Sequence, residues 1–77
     1  MQMSGFPRLS IDPGICGGRP VVAGTRMRVT DVLDMLADGA SASEIERDFP
    51  YISADDVQDC LRFAARSVDH PVVIAAE

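Results

Sequence analysis

The stretch Ser53–Ser67, SADDVQDCLRFAARS, constrains the fold more than any other part of the 77-residue chain. It is the longest unbroken helical pattern. Val57, Cys60, Leu61, Ala64 and Val68 recur at spacings of three and four, which predicts an apolar stripe on one face of a helix. Ser53 is placed to cap that helix, and Asp56 stands where a capping box takes its acid. Ile52 and Val57 occupy the two positions of a hydrophobic staple. Arg62 and Arg66 fall near the C-terminal end, where the helix dipole favours cations. A helix of this length is marginal alone, so other elements must cover its apolar side.

The upstream sequence supplies candidates for that cover. Met1–Pro7 shows no periodicity and reads as a loose end. Arg8–Ile11 reads as a short strand, with Leu9 and Ile11 on one face. Asp12-Pro13-Gly14 is a turn. Gly24-Thr25 lies between Pro20–Ala23 and Arg26–Val29, the pattern of a two-residue type II′ hairpin. In that register Val21 faces Arg28 and Val22 faces Met27. Val22, Met27 and Val29 share the buried face, and Arg26 and Arg28 project from the other. Thr30 then caps a helix over Asp31–Asp38, ended by Gly39. Ser41 and Glu44 form a capping box for a second helix, whose buried side carries Ile45 and Phe49 and which Pro50 ends. After Ser67 come Pro71 and the β-branched run Val72, Val73, Ile74, a candidate C-terminal strand. That strand would either close on the N-terminal strand of the same chain or add to the sheet of a partner.

The expected fold is therefore mainly α. A short N-terminal strand and hairpin precede three helices, the last two arranged as a helix-turn-helix. The expected division is a flexible 1–7, one hairpin-plus-helices domain over 8–69, and a strand or tail over 70–77. A core this small gains from dimerisation or partner binding, so a homodimer is expected.

Charge separates the function classes. Seven Arg and no Lys stand against 12 acids, net −5. Residues 1–30 carry four Arg and one acid, while residues 31–77 carry three Arg and eleven acids. A basic front end thus joins an acidic helical body, which suits a basic protein partner better than a DNA backbone. Asp55 and Asp59 on the third helix, with Val72, Val73 and Ile74, are the candidate partner-binding residues. In a helix-turn-helix the first residues of the third helix would enter the DNA groove, and here they include those same two carboxylates, which oppose phosphate binding. The better DNA candidates are Arg26 and Arg28 on the hairpin, helped by Arg19 and Arg62. Solubility or salt bridges to the acidic body explain the hairpin pair equally well.

Catalysis finds little support. His70 is the single His, and no Cys/His cluster has metal-ligand spacing. The glycines between Gly14 and Gly24 lack a Lys-Ser/Thr ending and precede a strand, unlike a phosphate loop. Asp55, Asp56 and Asp59 read as a solvated helix face that compensates the dipole. Cys16 and Cys60 read as reduced thiols, Cys60 in the core. With no membrane-length apolar run and no signal peptide, the expected compartment is the cytoplasm. No enzyme activity and no cofactor are expected.

From Ile11 to Leu61 the chain resembles the small bacterial "domain of unknown function 433" family. The resemblance rests on Asp12-Pro13, Gly17-Gly18-Arg19-Pro20, Gly24-Thr25-Arg26, Ala37-Asp38-Gly39, Ser41 to Ile45, Pro50 and Asp55-Asp56-Val57, in order. It implies a homeodomain-like helical fold with a short β element. It also implies the role of a VapB-type antitoxin that occludes a PIN-like ribonuclease and represses its own operon. The alternative is a homodimeric helix-turn-helix regulator that binds DNA. No catalytic residues come with the resemblance, and Gly18, Pro20, Gly24, Thr25 and Arg26 carry structural roles in it.

Overall fold

A computed structural model describes residues 1–69. Three strands lead, β1 (Gln2–Met3), β2 (Phe6–Ser10) and β3 (Val21–Val22), and three helices follow, α1 (Val29–Ala37), α2 (Ala42–Asp48) and α3 (Ala54–Ser67). The strands form one antiparallel sheet in the order β1-β2-β3. The core lies between β2, β3 and the three helices. It holds Leu9, Val22, Val29, Val32, Ile45, Ile52, Val57 and Cys60.

This sheet corrects the expected mainly α, homeodomain-like helix-turn-helix domain. The N-terminus is not a loose end. Gly5, at φ +84°, turns the chain between β1 and β2, so that Met3 pairs with Phe6. Phe6 is then 8% exposed, its ring edge-on to Phe63 at 5.5 Å between centroids. Burial of that ring against α3 is what anchors the strands. A short segment without alternation gives no strand signal, because its order comes from α3.

The expected hairpin forms only in part. Val21 does bridge to Arg28, and the Val22 N–H donates to Met27 O at 2.9 Å. The turn is different. Thr25 N–H and Thr25 Oγ1 both donate to Val22 O, at 3.0 and 2.8 Å, and Gly24 sits at φ +80°. Glycine is therefore the third residue of a Val22–Thr25 turn, the place where type II geometry demands positive φ. Met27 and Arg28 do not continue as a strand, because α1 begins at Val29, earlier than the Thr30 cap implied. The Asp31 carboxylate secures this start by accepting from Arg28 N–H at 3.2 Å and from the Arg28 guanidinium at 2.8 Å. Val22 and Val29 are buried and Met27 partly so, as expected, but Val21 is buried as well.

Helix ends further along follow local chemistry. Ser41 accepts from Glu44 N–H at 3.1 Å while Glu44 accepts from Ser41 N–H at 2.9 Å. Ser53 and Asp56 repeat the box at 3.1 and 2.8 Å. Both caps stand where the sequence puts them. The buried side of α3 does not. Val57 and Cys60 are buried, but Leu61 is 42% and Val68 69% exposed, while Asp56 and Asp59 are only 8% and 5% exposed. The helix has turned two carboxylates toward β2.

Candidate functional site

The carboxylates of α3 form the molecule's main polar junction. Asp59 accepts from the Arg8 backbone N–H at 3.2 Å and from Arg62 Nη1 at 3.0 Å. The Arg8 guanidinium reaches Asp56 and Asp55, both at 3.3 Å. The end of β3 explains why the strand needs this help: Arg8 O accepts from Ala23 N–H at 2.8 Å, which puts the Arg8 amide on the β3 side, just where β3 stops at Val22. A carboxylate on α3 takes the place of a strand neighbour at Arg8. Asp56 and Asp59 are therefore not a solvated face, and Asp59 is spent inside the molecule. Asp55 keeps a 77% exposed side chain and stays on the surface. Nothing in the sequence pairs Arg8 with α3, 47 residues away or more.

The four candidate arginines divide two and two. Arg28 is held by Asp31, whose carboxyl lies below its ordinary pKa because of that hydrogen bond, while the Arg28 pKa is raised. Arg62 is held by Asp59. Arg19 and Arg26 are exposed and make no ion pair among the described residues. Arg19 directly follows the Cys16–Gly18 turn, in which three consecutive residues have positive φ. Arg19 N–H donates to Cys16 O at 3.3 Å, and the Cys16 thiol donates to Arg26 O at 3.5 Å. The exposed acids Asp34, Asp38, Glu44, Glu46 and Asp48 lie on α1, its C-terminal end and α2. Val72, Val73 and Ile74 lie outside the described residues, as does His70.

Two surface hollows accompany these charges. A shallow one of about 470 Å³ is lined by Gly24, Thr25, Arg26, Met27, Asp31 and the exposed Tyr51. The other, about 450 Å³, is an apolar groove between α1 and α3, lined by Pro20, Val29, Leu33, Phe63, Ala64 and Val68, with Arg19 beside it. The sequence reading missed this groove, because it put Val68 on the buried side. Among the described residues no group of three or more His, Cys, Asp or Glu side chains could hold a metal, and no helix is long and apolar enough to cross a membrane.

The two thiols make a testable contrast. Burial pushes the Cys60 thiol from 9.0 up to about 11, with Asp56 and Asp59 adding to the effect. Cys16 is partly exposed. Iodoacetamide at pH 8 is expected to alkylate Cys16 promptly and Cys60 only after unfolding in urea, as read by mass spectrometry. Equal rates would contradict the packing. A folded-state pKa that is raised favours the folded chain below the ordinary thiol value. Cys60 therefore withdraws stability as pH rises above 9.0 toward about 11.

The architecture is that of a small domain in which a short antiparallel sheet packs on three helices. The chain belongs to the DUF433 family of proteins of unknown function, whose model matches residues 9–64. A solved structure of a DUF433 member protein from Anabaena variabilis ATCC 29413 is similar, with a TM-score of 0.73 and 25% identity. The match covers 77% of this chain and 58% of that one, so this chain corresponds to little more than half of the relative. No curated protein matches.

Proposed function

We propose that the chain is a cytoplasmic antitoxin that neutralises a PIN-like nuclease by binding it, without chemistry of its own. The observation that carries this reading is the exposed carboxylate surface of the helical body, Asp34, Asp38, Glu44, Glu46 and Asp48, extended by Asp55. An enzyme that grips polyanionic RNA presents a cationic surface, which acidic side chains meet favourably and block. Co-expression with the product of the adjacent gene is the test. The two chains are expected to co-elute on size exclusion, and nuclease activity is expected to fall in proportion to added chain until a fixed ratio is reached. Replacing Asp34 and Asp38 together by Lys is expected to slow association by about tenfold at low salt. No co-elution, with nuclease activity undiminished, would dispose of the proposal.

A second reading, operator binding during autoregulation, is favoured by Arg19 and Arg26, the two candidate arginines without an ion pair among the described residues. It is narrower than the sequence suggests, since Arg28 and Arg62 already have carboxylate partners. In a mobility-shift assay on the upstream DNA, Arg26→Ala is expected to weaken binding and flatten its salt dependence.

A further inference from the structure

We propose that the groove between α1 and α3 is the contact face of a symmetric homodimer, each copy placing its Val68 in the groove of the other. The groove is apolar along Pro20, Val29, Leu33, Phe63 and Ala64. Val68 forms its edge and is 69% exposed, although it is a large apolar residue at the C-terminal cap of α3. A feature that is both lip and plug suits a two-fold contact, in which one patch meets its own copy.

Charge points to a second copy in particular. Arg19 is the one charged side chain lining the groove, and it has no ion pair among the described residues. Asp69 follows the plug directly, is exposed, and likewise has no ion pair among them. Seating Val68 in the opposite groove carries Asp69 toward the Arg19 of the other chain, and two-fold symmetry makes that pair twice. The groove is otherwise free of charged lining, so the contact itself brings no other charged side chains together. The benefit is real for a domain this small, whose own core is thin.

Sedimentation equilibrium of the full 77-residue chain tests the proposal. The expected mass is twice 8.3 kDa, falling toward 8.3 kDa on dilution. Val68→Asp alters an exposed residue, so it is expected to leave the far-UV circular dichroism unchanged while raising the dimer dissociation constant about a hundredfold. Arg19→Asp is expected to weaken the dimer about tenfold, and Arg19→Asp combined with Asp69→Arg to restore it. A monomer at every concentration overturns the proposal, as does a dimer that Val68→Asp leaves untouched. Cover by the chain's own residues 70–77 would overturn it too. In that case the chain is monomeric, and Val73→Asp raises the fluorescence of added anilinonaphthalene sulfonate.

Discussion

Asp59→Ala is expected to destabilise the domain by about 2 kcal/mol, the cost of losing a buried charged acceptor and leaving a part-buried amide without its partner. The residue is 5% exposed and serves two donors, Arg8 N–H at 3.2 Å and Arg62 Nη1 at 3.0 Å. The two losses are unequal. The Arg62 side chain is 58% exposed and simply returns to water. The Arg8 amide is part-buried between α3 and the end of β3, so it is less readily hydrated. For a domain of this size the melting temperature should fall by about 10–20 °C. Asp59→Asn keeps an acceptor and should recover part of that loss. Asp55→Ala, one turn away, should change stability by less than about 0.5 kcal/mol, since an exposed ion pair contributes little. Urea unfolding of the three variants separates them. Equal midpoints would mean that the junction between β2 and α3 is only a surface contact.

Phe6→Ala is expected to cost more, about 3–4 kcal/mol, the usual effect of removing a buried aromatic ring. The ring packs edge-on to Phe63 and lies 5.7 Å below the Arg66 guanidinium. Domains of this kind hold about 5–15 kcal/mol in total, so one substitution near the N-terminus would remove a large share. If residues 1–7 were a loose end, the same change would leave the urea midpoint where it was. The experiment therefore decides directly whether the start of β2 is packed on α3 or loose.

Both predictions fall where the sequence reading went wrong, and for one reason. Phe6 and Asp59 are each ordinary residues in their own segments, a phenylalanine after a glycine and an aspartate on a helix. Their importance comes from partners far along the chain, Phe63 for one and Arg8 for the other. Likewise, Leu61 and Val68 fit a helical stripe by spacing, yet a rotation of α3 left them outside and took Asp56 and Asp59 in. Periodicity identifies a helix and its approximate apolar side, but a neighbouring strand with an unpaired amide can change which residues face inward.

What the sequence by itself determined lies within a few residues of each signal. The caps at Ser41 and Ser53 and the left-handed stop at Gly39 stand as the local chemistry dictates. These follow from hydrogen bonds and dihedral preferences that operate over three or four positions. The tertiary structure alone decided the third strand, the use of Asp59 inside the fold, the division of the arginines and the open α1–α3 groove. Those depend on which surfaces meet, and a buried group takes its role from the atoms packed against it.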